Sequence, residues 1–263
     1  MKNFFLAAGT LWQRELVRFF RQRSRVIGAL GPPVLFWFLI GSGLGGSFQF
    51  SPLSAPAGTA SINYMQYFFP GTVTLIVLFT AIFSTISIIE DRHEGFLQSV
   101  LVAPIPRSAV VLGKIAGGTT LAFIQGFVFL CFAPLVGITI HPLSFFYLLA
   151  MLALISFGLT GLGFVIAWQL DSTQGFHAIM NLVLIPMWLL SGALFPISGA
   201  PFWLRVVMRV NPLSYGVAAL SESFLIHGQP LQMGMASPAL CLGVTVGFGL
   251  LMYLLSVIST SAS

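Results

Sequence analysis

The stretch EDRHEGFLQSVLVAPIPRSAVVLGK, Glu90 to Lys114, interrupts a chain that is otherwise almost free of charge. Eleven Lys and Arg and six Asp and Glu are all that 263 residues contain, yet Glu90, Asp91, Arg92, Glu94, Arg107 and Lys114 fall inside it. To either side, charge vanishes over Val26–Ile89 and Ile115–Leu170, and further on over Ser172–Leu204 and Ser223–Ser263. A helix that crosses a bilayer needs about 20 apolar residues. The first two runs therefore hold two spans each and the last two hold one each, six in all. Composition points the same way: 57% of residues are hydrophobic and 6% charged, against about 25% charged in a soluble domain. Such a chain cannot cover a globule with polar surface.

Turn residues divide the long runs. Pro, Ser, Gly and Asn collect in SFQFSPLSAPAGTASINYMQY, Ser47 to Tyr67, and His141-Pro142 punctuates the second run. The expected spans are residues 26–47, 68–89, 112–136, 143–168, 176–197 and 237–259. The runs are continuously apolar rather than alternating, which excludes barrel strands. With the N-terminus inside, nine Lys and Arg lie on the cytoplasmic side and only Arg205 and Arg209 outside, as the positive-inside rule requires. Both termini are then cytoplasmic. The expectation is an all-α polytopic membrane protein in which no Asp, Glu, Lys or Arg lies inside a span.

Before the first span, Arg14, Arg18, Arg21 and Arg25 recur every three or four residues and share one helical face, with Phe5, Trp12, Leu16, Phe19 and Phe20 opposite. Charge that follows rather than precedes the short apolar start excludes a signal peptide. Residues 1–25 read as an amphipathic helix in the membrane interface, ahead of a transmembrane domain over residues 26–263. That helix either anchors the first span or also holds a partner. Pro32-Pro33 would kink the first span or form its first turn.

Enzymatic motifs fail one by one. His93-Glu94 begins an HExxH pattern, but Leu97 takes the place of the second ligand; no GxSxG occurs. Gly113-Lys114 resembles the end of a phosphate loop, but Ile115 stands where Ser or Thr is needed and Ser108 where the leading Gly should be. No catalytic residue, metal site or nucleic-acid partner is expected. Cys131 and Cys241 both fall in spans and read as packing residues, and His93, His141, His177 and His227 are scattered. If ATP drives this chain, ATP and Mg bind to another polypeptide. A secondary transporter or channel is the alternative, against which stands the lack of ionisable residues within the spans.

In the quoted stretch Leu97, Val100 and Leu101 share a helical face, with Pro104 and Pro106 ending the segment. Acid, base, Gly, apolar helix, Pro, base and a closing Gly-Lys follow in the order Glu90, Arg92, Gly95, Phe96 to Val102, Pro104, Arg107 and Gly113-Lys114. This resembles the cytoplasmic loop of the ABC-2 type permease family, the membrane subunits of ATP-binding-cassette exporters. LLSGALFPIS (Leu189 to Ser198) and NPLSYGVAAL (Asn211 to Leu220) are similar to its fifth span and outer re-entrant segment, and RELVRFFRQRSRVIGALGPPVLFW (Arg14 to Trp37) to its interfacial helix and first span. Family members often carry an acid and an Arg where this chain has Ala218 and Ser221.

The resemblance implies a bacterial inner-membrane exporter of two permease and two ATPase subunits, with surrounding lipid, a coupling loop over residues 90–114 and an outer segment over residues 198–235. Its cargo would be a hydrophobic or amphipathic drug, lipid or lipid-linked glycan. Glu90, Asp91, Arg92, Glu94, Gly95, Leu97, Leu101, Pro104, Arg107 and Lys114 would couple to the ATPase, Leu97 and Leu101 supplying the apolar grip. Arg14, Arg18, Arg21 and Arg25 would assist. Met187, Trp188, Phe195, Arg205, Arg209 and Tyr215 would line a substrate path or outer gate, or serve as packing and interfacial anchors. Gly41/Gly45, Gly113/Gly117 and Gly243/Gly247 have the spacing that lets helices approach closely.

Overall fold

The computed structural model describes residues 2–45, 62–226, 229–231 and 235–261. His227 and most of the expected loop over residues 47–67 lie outside them. Among the described residues ten α-helices follow in order: α1 (Lys2–Arg21), α2 (Arg23–Leu44), α3 (Tyr64–His93), α4 (Phe96–Val102), α5 (Arg107–Leu130), α6 (Pro142–Gln169), α7 (Thr173–Trp188), α8 (Phe202–Val210), α9 (Pro212–Glu222) and α10 (Pro238–Ser261). Six of these are long and apolar enough to cross a membrane: α2, α3, α5, α6, α7 with its continuation to Ala193, and α10.

Helix α3 is the axis. Within its most apolar window 89% of residues are buried, against 17% in α2, so α2 faces outward while α3 is wrapped by its neighbours. Thirty residues make α3 about 45 Å long, more than the roughly 30 Å of hydrocarbon. Its surplus emerges at both ends. At the start, Asn63 and Gln66 form a capping box, so the helix begins at Tyr64, inside the stretch expected to be loop. At the other end it continues through Glu90, Asp91 and Arg92 to His93, and α5 already begins at Arg107. The connection from α3 to α5 is thus shorter than the stretch of residues 90–114 expected as a coupling loop: Glu90, Asp91 and Arg92 sit on α3, and Arg107 and Lys114 on α5.

Further boundaries move for local reasons. The chain breaks at Gln22, so the interfacial helix ends at Arg21, and Arg25 belongs to α2. Pro32 and Pro33 fall in the interior of α2 and do not form its first turn. Gly95, at φ 74°, adopts the left-handed turn that lets α4 leave α3, and α4 stops at Val102 just ahead of Pro104.

The opposite end of the bundle carries short strands that the sequence reading lacked. β1 (Ile138–Ile140) pairs antiparallel with β2 (Phe224–Ile226), and β2 with β3 (Gln229–Pro230). Strands of two or three residues show no strand period of their own. They tie the connection after α5 to the one after α9. Beside them Phe69 and Phe129 stack with centroids 4.9 Å apart, and Trp37 donates from Nε1 to the Met65 carbonyl at 3.1 Å, fastening α2 to the first turn of α3.

Candidate functional site

Nearly half of the chain's few charges meet at one end of the bundle. Arg14, Arg18, Arg25 and Lys114 face Glu15, Glu90, Asp91 and Glu94, four cations and four carboxylates drawn from α1, α2, α3, α5 and the α3–α4 turn. Asp91 is the centre. Its Oδ1 accepts from Arg14 Nη2 at 2.6 Å and Arg18 Nη1 at 2.5 Å, its Oδ2 from Arg14 Nη1 at 2.8 Å and from Lys114 Nζ. Lys114 also donates to Glu15 Oε1 at 2.5 Å, while Ser87 Oγ donates to Glu15 Oε2 at 2.6 Å. Around this core, Arg18 Nη2 reaches Glu90 at 2.8 Å and Glu94 at 3.1 Å, and Arg25 bonds Glu90. The Asp91 carboxylate, hydrogen-bonded to the Arg14 guanidinium, pushes the arginine's pKa further up.

Two of these groups are charges buried on the spanning helices α3 and α5, where none was expected. Asp91 has no exposed surface and Lys114 is 5% exposed, in the second turn of the third spanning helix. An isolated charge there would cost several kcal/mol, and only complete pairing makes it tolerable. Sequence separation hid the pairing: Asp91 is 77 residues from Arg14, and Lys114 is 99 from Glu15.

Glycine explains how α1 comes near enough. A Cβ at Gly113 would lie 2.7 Å from the Ala8 carbonyl oxygen, and one at Gly117 2.7 Å from Glu15 Cβ. With no side chain at either, α1 lies directly on α5, and Glu15 reaches Lys114 between the two glycines. Of the three glycine pairs this one is a close contact at both positions; Gly243 and Gly247 have nothing within 4 Å. Arg14 also stacks on Phe96, its guanidinium carbon 3.7 Å from the ring centroid, so α4 is held to α1 as well.

A second tie runs to the turn between α6 and α7. Arg92 donates to Asp171 Oδ1 at 2.7 Å, to the Trp168 carbonyl at 2.6 Å and to the Leu170 carbonyl at 3.2 Å; His93 Nε2 donates to the Asp171 carbonyl at 2.6 Å. Arg107 donates to the Thr260 carbonyl near the end of α10. The spanning helices α2, α3, α5, α6 and α10, and the turn that leads into α7, thus each supply or receive a polar contact at this end of the bundle.

The proposed grip of α4 turns over. Leu97 is 3% exposed and Leu101 packs on the core, so both hold α4 to its own protein. What α4 and its flanks present outward is His93, Glu94, Gln98, Ser99, Val102 and Pro104. On α1, Arg21 is exposed while Arg14 and Arg18, with Arg25 of α2, are turned into the cluster.

At the far end, neutral groups hold the structure. Helix α7 loses its regular geometry after Trp188, with Gly192 at φ 86°. The carbonyls freed by the break find donors: Asn211 Nδ2 reaches Met187 O at 2.6 Å and Leu190 O at 3.1 Å, Tyr67 Oη reaches Gly192 O at 2.8 Å, and Tyr64 Oη reaches Leu194 O at 2.9 Å. Trp188 is buried, its Nε1 donating to the Gly71 carbonyl at 2.8 Å, and so lines no open path. Phe195 packs on Ile197, Ala200 and Met208; Tyr215 Oη donates to the Arg209 carbonyl at 2.8 Å. Glu222, on α9, keeps a buried Oε2 with no hydrogen-bond partner. Ala218 and Ser221 are buried nearby on the same helix. Among the described residues no group of His, Cys, Asp and Glu is arranged to hold a metal.

Six helices long and apolar enough to cross a membrane, an amphipathic helix ahead of the first and a short helix after the second define the class of an all-α polytopic membrane protein. The family model for ABC-2 type transporters matches residues 7–225, and the chain belongs to that family. It is 28% identical over 213 residues to the putative transport permease ycf38 of Cyanophora paradoxa, covering 79% of this chain and 70% of that one. Nodulation protein J of Rhizobium leguminosarum bv. viciae is 25% identical over 242 residues, covering 90% and 89%. The inner membrane transport permease YadH of Escherichia coli K12 is 26% identical over 246 residues, covering 88% of each. The chain is a multi-pass inner-membrane protein.

Proposed function

We propose that this chain is the transmembrane subunit of an ATP-driven exporter, working as a homodimer with two copies of a separate cytoplasmic ATPase. The observation that supports it best is the mounting of α4. A seven-residue helix is too short to hold itself together in water, yet this one is fixed by buried Leu97 and by Arg14 on Phe96, and it presents Gln98, Ser99 and Val102 outward. A push on α4 reaches α1, α3 and α5 at once through Asp91. The partner's ATP-bound and ATP-free states must contact that face differently, because only differential affinity shifts a conformational equilibrium.

The cargo fits a hydrophobic or amphipathic molecule, since no charged residue lies in the spans away from the cluster end. Co-purification with the products of neighbouring genes tests the reading. An ATPase should accompany the chain, and Gln98→Trp or Val102→Asp should lower ATP-dependent transport while the permease stays folded. Absence of any ATPase, or labelling of a cysteine at position 98 from outside the cell, would overturn it.

A further inference from the structure

Arg205 and Arg209 run against the pattern of the rest of the chain. They lie four residues apart on α8, at the end of the bundle away from the charged cluster, where the positive-inside rule disfavours them. Both are exposed, and no carboxylate among the described residues pairs with either. Two like charges at this spacing repel each other. An external anion removes both objections.

The neighbouring surface says what carries that anion. A groove of about 450 Å³ opens between α8 and the broken end of α7, lined by Pro186, Met187, Leu190, Val206, Val207 and Val210. The polar side chain at its wall, Asn211, has its amide committed to Met187 O and Leu190 O and its oxygen to Leu213 N. The groove therefore offers an occupant only apolar contact. By helical spacing Phe202 shares the arginine face and Trp203 the groove face, both exposed as in the aromatic belts at membrane interfaces.

We infer that this groove is a binding site for an anionic phospholipid of the surrounding leaflet, its phosphate on Arg205 and Arg209 and one acyl chain between α7 and α8. Guanidinium groups match phosphate by paired, charge-assisted hydrogen bonds. The lipid would brace α8 against α7 beside the break at Gly192. The inference stands apart from the exporter reading, because it requires neither an ATPase nor a cargo.

Native mass spectrometry of the detergent-purified chain, titrated with phosphatidylglycerol or with phosphatidylcholine of the same acyl chains, tests it. Phosphatidylglycerol should be retained more strongly, and Arg205→Gln with Arg209→Gln should weaken its retention about ten-fold or more and erase the preference. Arg205→Lys with Arg209→Lys should keep part of it. Val207→Trp should expel both lipids while thermal melting in lipid-free detergent stays unchanged. Equal retention of the two lipids, or indifference to the arginine changes, would sink the inference. So would Val207→Trp altering subunit stoichiometry without altering bound lipid, since the groove would then belong to a contact between copies.

Discussion

The two ends of the bundle are fastened by opposite chemistry. At one end, ionised side chains from three helices converge on Asp91 and Lys114. At the other, neutral donors on Tyr64, Tyr67 and Asn211 meet backbone carbonyls around the break in α7, and Trp188 donates to the Gly71 carbonyl of α3. An ion network is all or nothing, because each member is tolerable only while the others are present. Neutral hydrogen bonds to carbonyls are separable and can be exchanged one at a time. The ionic end suits a part that moves as one body, and the neutral end suits a part that rearranges by steps.

The contrast is sharpest at Asp91. Asp91→Ala leaves Lys114, Arg14 and Arg18 facing one another, and should destabilise the protein by about 3–5 kcal/mol, read as a fall in melting temperature of the detergent-solubilised chain. Combining Asp91→Ala with Lys114→Met should cost less than the sum of the two single changes, and additivity would show that they are not one unit. Next in size is the seat of α1. Gly117→Val drives a side chain into Glu15 and should cost about 1–3 kcal/mol, with cysteines placed on α1 and α5 cross-linking less.

At the neutral end, Asn211→Ala should cost about 1–3 kcal/mol, since it leaves two carbonyls short of a donor. That loss should not change with added salt, and a salt-dependent loss would break the comparison. Smallest is Glu94→Gln: this carboxylate is 58% exposed and its contact with Arg18 is peripheral, so a change within about 1 kcal/mol, shrinking as salt rises, is expected.

The spans were legible because uninterrupted apolar runs have no alternative in water, and all six stand within a few residues of expectation. Pro104 marked the end of α4 for an equally local reason. The cluster was not legible. Glu15 was the one acid in an arginine-rich helix, and Gly113 and Gly117 straddle Lys114; both signals were present, but nothing local says that α1 folds back onto α5. Leu97 and Leu101 were read as facing a partner because helical spacing defines a face without saying what covers it. The β1–β2–β3 sheet and the break at Gly192 depend on contacts between distant segments and left no periodic trace.

Pairing within the cluster also bears on the order of events when the chain is made. In the proposed orientation, Arg14, Arg18, Arg25 and Lys114 would hold the cytoplasmic side during insertion as free positive charges, and acids contribute little to that orientation. Once α5 has emerged and α1 has docked, the same four are neutralised by Glu15, Glu90, Asp91 and Glu94. Each basic group thus serves first as a topological signal and afterwards as a strut. The first role ends when the second begins.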